Sequence, residues 1–187
     1  MRRSALGDVF ARRLNLEPGR VERIGQRAAE AGLLPVTEGS RRYPPELSTA
    51  EAVTFLLAVL TDDGLGKVPQ QVSTFSALTD GSTTLHAALA DLFSHGPALA
   101  GAVHGDLIIR LDPATASLTA GGHFRRFGPE PPAGAAGRHV VVPGRALAAI
   151  GLEFQGRTPA EADELVALAR ISASPSVGHA FSNPGFK

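Results

Sequence analysis

Between Leu6 and Leu60 the chain carries apolar residues at helical spacing, cut by turns whose chemistry leaves few alternatives. Leu6, Val9, Phe10 and Leu14 recur three and four residues apart and so share one helical face. Ser4 is placed to cap that helix. Leu16-Glu17-Pro18-Gly19 interrupts the pattern, and Pro18 in the first turn of a new helix costs no internal hydrogen bond. A second helix is therefore expected from Pro18 to Ala31. It buries Val21, Ile24, Ala28 and Ala31 and turns Arg20, Arg23, Gln26, Arg27 and Glu30 outward. Gly32 suits a left-handed cap, and Leu33-Leu34-Pro35 closes the turn with apolar contacts. A short basic segment follows, Gly39-Ser40-Arg41-Arg42-Tyr43, and Pro44-Pro45 stiffens its exit. Ser48-Thr49-Ala50-Glu51 then has capping-box spacing. Val53, Phe55, Leu56, Leu57, Val59 and Leu60 make the third helix apolar on most sides, so it is expected to be buried or to form a dimer contact.

Helix, turn, helix, basic wing-sized segment, helix is the order of a winged helix-turn-helix. The outward face of the second helix suits a major groove, because Arg pairs with guanine and Gln with adenine in bidentate fashion. The expected DNA contacts are Arg20, Arg23, Gln26 and Arg27 on the helix. Arg41 and Arg42 are expected on phosphates, with Tyr43 bonding to a phosphate or packing beneath the wing. Charge follows the same division. Residues 1–45 hold nine Arg against Asp8, Glu17, Glu22, Glu30 and Glu38, a balance of +4, and the remainder balances to −4. A basic front and an acidic back fit a DNA module joined to a domain with another role.

Residues 6–60 resemble the winged-helix head of the MerR family of transcriptional regulators. The matching pieces are Ala11-Arg12-Arg13-Leu14, Val21, Ala31-Gly32-Leu33-Leu34-Pro35, Gly39-Ser40-Arg41-Arg42-Tyr43 and the helix start Ser48 to Glu51. The resemblance implies DNA contacts from the second helix and from Arg41, Arg42 and Tyr43. The family's long dimerising coiled coil has no counterpart, since Asp62-Asp63-Gly64 breaks the chain after Leu60 and no heptads follow. Ile24-Gly25-Gln26 stands where the family has an aromatic pair. Only the fold of the head and the idea of DNA contact carry over.

Beyond the head, Val68, Val72, Phe75 and Leu78 predict a helix over about 68–77. Thr83 or Thr84 is expected to cap another, from Leu85 to Phe93. From Asp106 the period becomes that of strands. Strands are expected at 107–111, 116–120, 123–127 and 138–142, with Asp112-Pro113 and Gly121-Gly122 as turns. Pro143 opens a short helix to Ile150, and the capping box Thr158 to Glu161 opens one to about Arg170. The expected class is α+β. A winged-helix head spans 1–62, a helical connector 63–105, a small α+β domain 106–171 and a flexible tail 172–187.

No catalytic constellation emerges. The chain has no Cys. His86 and His95 lie nine apart, on opposite sides of a helix, and His104, His123, His139 and His179 lack metal-ligand spacing. No Ser has a nucleophile-elbow context, and Gly64-Leu65-Gly66-Lys67 lacks the rest of a phosphate loop. Asp62-Asp63 reads as a solvated helix end. Neither enzyme activity nor a cofactor or metal is expected. No run of about 18 apolar residues suggests a membrane span, and no signal-peptide core follows Met1, so a cytoplasmic address is expected. The leading expectation is a bacterial or phage-type transcriptional regulator that binds duplex DNA, with the back domain as a homodimer or partner platform. Two alternatives share the head: a phage-like DNA-packaging adaptor, and a protein-interaction module without a DNA role.

Overall fold

A computed structural model describes residues 1–36, 45–131, 134 and 136–172. The fold is α+β. Among the described residues, eight α-helices accompany one four-stranded antiparallel sheet.

The first two helices are α1 (Arg3–Arg13) and α2 (Pro18–Glu30). Asn15 takes a left-handed φ of 52° in the turn between them, a conformation that Asn tolerates better than most residues. Helix α1 begins earlier than Ser4 suggests, because Arg2 is its N-cap and offers no side-chain bond. Glu17 caps α2 by accepting the Gly19 N–H at 3.1 Å. The inward face of α2 takes Val21, Ile24 and Ala28, joined by Gly25 and Ala29. Ala31 is exposed instead of buried, since the helix has already ended at its C-cap. Gly32 follows with a φ of 73°.

Helix α3 (Thr49–Leu60) starts with the full capping box: Ser48 N–H donates to Glu51 at 2.7 Å, and Glu51 N–H donates to Ser48 Oγ at 3.3 Å. Its residues from Ala52 onward are buried, apart from half-buried Thr54, because α1, α2 and two later helices surround it. Those later helices are α4 (Val68–Ala77), entered by a single 3-10 turn at Leu65–Lys67, and α5 (Leu85–Ser94), capped by Thr84. Phe10 of α1 meets Phe55 of α3 edge-to-face, with ring centres 5.1 Å apart. Gly25 makes room for that ring, since a Cβ there would lie 2.9 Å from Phe55 Cζ.

A short helix, α6 (Gly96–Ala102), leads into the sheet. The strands are β1 (Asp106–Arg110), β2 (Thr115–Ala120), β3 (His123–Phe127) and β4 (His139–Pro143), in the order β3-β2-β1-β4. Leu107 stands opposite both Leu118 and Val142, which sets the apolar side inward. Helices α6 and α7 (Gly144–Phe154) cover that side, and α8 (Pro159–Ser172) packs on α6 and α7. The opposite side of the sheet leaves Phe124 and Val141 exposed. Buried apolar residues form one cluster that runs from Leu6 in α1 to Val166 in α8. No helix of the described residues is long and apolar enough to cross a membrane.

Candidate nucleic-acid interface

The outward face of α2 is where the sequence places the recognition residues, and each now has a position. Arg20 does not face solvent freely. Its guanidinium forks onto Asp62, with Nε to Oδ2 at 2.8 Å and Nη2 to Oδ1 at 2.7 Å. That bond joins the first turn of α2 to the residues just past α3. Burial pushes the Asp62 carboxyl up, but the bonds from Arg20 and from the Gly64 N–H outweigh it and hold its pKa below the usual value. Arg138, just before β4, donates to the Asp62 carbonyl at 2.9 Å. Asp63 pairs with Lys67 at 2.6 Å and with Arg138 at 3.4 Å. The pair Asp62-Asp63 is therefore not a solvated helix end. It is the anionic centre on which three cations of the same chain converge.

Arg23, Gln26 and Arg27 remain on the exposed side of α2. Arg23 Nε donates to the Gly19 carbonyl at 3.1 Å, which lays its side chain back along the helix. Gln26 Nε2 and Arg27 Nη1 both donate to Glu30, at 3.0 and 2.8 Å. The bond from Arg27, seconded by that from Gln26, lowers the Glu30 pKa. Glu22 is exposed on the same helix and makes no hydrogen bond among the described residues. The face is thus mixed in charge, two arginines beside two glutamates. Arg41, Arg42 and Tyr43 lie outside the described residues.

Charge pairing across the molecule was not visible from spacing. Arg12 and Arg13 of α1 both donate to Glu153 of α7, Arg13 through Nε at 2.6 Å. Arg13 also reaches Asp163 of α8 at 2.5 Å and the Pro159 carbonyl at 3.2 Å. Glu153 is one of the few buried charged residues, and burying a carboxylate is tolerable only when it is paired. Arg12, Arg13 and Arg20 thus meet acids that lie beyond residue 45. Part of the positive balance of residues 1–45 is answered within the chain itself. No sequence signal of the kind used above identifies pairs separated by about 140 residues.

The described histidines do not gather. His86 Nε2 lies 3.1 Å from Thr54 Oγ1 and 3.0 Å from the Ala50 carbonyl, bridging α5 and α3. His95 sits by Asp91. Among the described residues no group of three or more His, Asp or Glu is placed to hold a metal ion. No protein-family model matches the chain, and no curated protein or solved structure matches it either.

Proposed function

We propose that this chain is a DNA-binding regulator whose first three helices act as a winged helix-turn-helix head of the MerR kind. Duplex DNA would meet α2 and residues 41–43. The observation that supports this most is the exposed row Arg23, Gln26 and Arg27 on a helix fixed by α1 on one side and α3 on another. A reading helix needs such rigidity, because base contacts lose their value when the side chains that make them are poorly placed. Arg20 takes a different part. Its fork onto Asp62 orients α2 and leaves base contact to Arg23, Gln26 and Arg27. Arg27 and Gln26 would exchange Glu30 for a base edge, so binding displaces an internal partner.

The mixed charge of α2 implies that phosphate attraction comes chiefly from Arg41 and Arg42. Changing both to Ala should weaken binding at every sequence and flatten its salt dependence, because phosphate contacts release counterions. An unchanged salt slope in that variant would remove the wing from the proposal.

A second reading is a protein-interaction module without a DNA role. It is favoured by the ion pairs of Arg12, Arg13 and Arg20, which account for part of the head's basicity without a nucleic acid. The back half supports a partner or second copy in either case. Leu168 and Ile171 on α8, with Phe124 and Val141 on the open sheet, expose large apolar side chains to water. Salt-dependent binding of duplex DNA separates the two readings, and solution mass separates a dimeric regulator from a ring-forming packaging adaptor.

A further inference from the structure

We infer that the groove between α6, α7 and α8 binds a small amphiphilic anion, an apolar body of about medium-chain length bearing one carboxylate. This inference is independent of the DNA reading. The groove has a volume of about 280 Å³ and lies partly open to water, room for about nine groups of the size of a water. Its walls are Leu99 and Ala100 from α6, Leu152 from α7, and Leu165 and Ala169 from α8. Gly96 and the two alanines keep it open, since none of them extends a side chain far into it. Leu165 stands at its lip with 40% of its surface exposed. A guest there would cover apolar surface that now faces water.

One end of the groove is polar, and it is positive. Gln155 and Arg157 line it, just past the end of α7. Gln155 Nε2 donates one hydrogen to the Phe93 carbonyl at 2.7 Å. That bond fixes the amide and leaves its second N–H to donate. The Arg157 backbone N–H is tied to the Leu152 carbonyl at 3.1 Å, but its guanidinium makes no hydrogen bond or ion pair among the described residues. Glu161 is close enough to sense Arg157. Its carboxylate, however, is engaged by the Thr158 N–H at 2.8 Å and the Thr158 hydroxyl at 3.0 Å. No acid lines the groove itself. An apolar slot ending at a guanidinium that has no hydrogen-bonded partner among the described residues complements an apolar anion, because Arg binds carboxylate by charge-assisted bonds and such sites take their orientation from a few polar groups.

Calorimetric titration of the full chain with octanoate and with its neutral counterpart octanamide tests this. Octanoate should bind about tenfold more tightly than octanamide. Arg157→Gln should bring octanoate down to the octanamide level and leave octanamide unchanged. Ala100→Phe, which plugs the groove, should abolish both while the circular dichroism spectrum stays native. Arg157 is exposed, so its variant keeps the test decisive if Ala100→Phe does not fold. The inference is overturned if octanoate gives no heat up to millimolar concentration, if both ligands bind the unaltered protein equally, or if Arg157→Gln changes nothing. It is also overturned if sedimentation shows a dimer that Ala100→Phe dissociates, since the groove is then a seat for a second copy.

Discussion

Arg13 donates its Nε–H to Glu153 Oε1 at 2.6 Å, joining the first helix of the chain to the seventh. Arg12 reaches the same carboxylate. The front helices and the back half therefore share one charged contact as well as one apolar core.

Removing Glu153 should loosen that contact. Breaking a fully buried ion pair costs about 3–5 kcal/mol. Here the Arg12 side chain is 46% exposed and Arg13 16%, so water can recover part of what their guanidinium groups lose. Glu153→Ala should destabilise the protein by about 2–3 kcal/mol, toward or below the lower end of that range. Urea denaturation measures it. A loss within the error of zero would mean that the ion pair adds nothing to the apolar packing of α1 on α7.

Leu57 lies in the C-terminal half of α3 and is fully buried. Leu57→Asp should unfold the chain or leave it aggregated, because an unpaired carboxylate in that core has no partner to offset its desolvation. A native circular dichroism spectrum with unaltered thermal midpoint would contradict the position of α3.

Arg20 and Asp62 should behave as one structural unit. In a double-mutant cycle with Arg20→Ala and Asp62→Ala, the coupling should be about 1 kcal/mol, near the upper end for pairs that water still reaches. Arg20→Lys should keep less than half of it, since a single ammonium cannot form the fork. Additive losses would show that the pair does not hold α2.

Acid should weaken the fold through two aspartates. Backbone N–H of Thr83, the Arg125 guanidinium and Ser82 hold Asp80 far below its ordinary value of 3.8, and Asp62 is also lowered. A carboxylate with a depressed folded pKa contributes stability that is present above its unfolded pKa and is lost as pH falls through the folded one. Stability should therefore decline below about pH 4. Asp80→Asn should reduce the decline, by removing the group whose protonation drives part of it. An identical acid profile in the variant would show that Asp80 does not contribute.

Local chemistry made much of this fold legible. The capping boxes at Ser48 and Thr158, the left-handed Gly32 and the change of period after Asp106 each depend on neighbours within a few residues. Their helices and strands lie within a residue or two of expectation, except that Pro143 closes β4 and the helix after it runs on past Ile150 to Phe154. Helix α6 was missed because Gly96-Pro97-Ala98-Leu99-Ala100 has small residues and no clear amphipathic stripe. The burial of Ala29 in place of Ala31 came from where α2 ends. The partners of Arg12, Arg13 and Arg20 were not legible at all. An arginine on an outward helical face looks alike in sequence whether it meets DNA, water or a distant carboxylate.

Fluorescence anisotropy of a labelled pool of genomic duplex fragments, titrated with the full chain at several salt concentrations, tests the central proposal most directly. The proposal expects saturable binding whose affinity falls as salt rises. Arg23→Ala with Arg27→Ala should reduce preference among fragments, by about 1–3 kcal/mol per lost base contact, with the thermal midpoint preserved. No binding at low salt, or binding that ignores both changes, would contradict a DNA-reading role for α2 and leave the protein-interaction reading in its place.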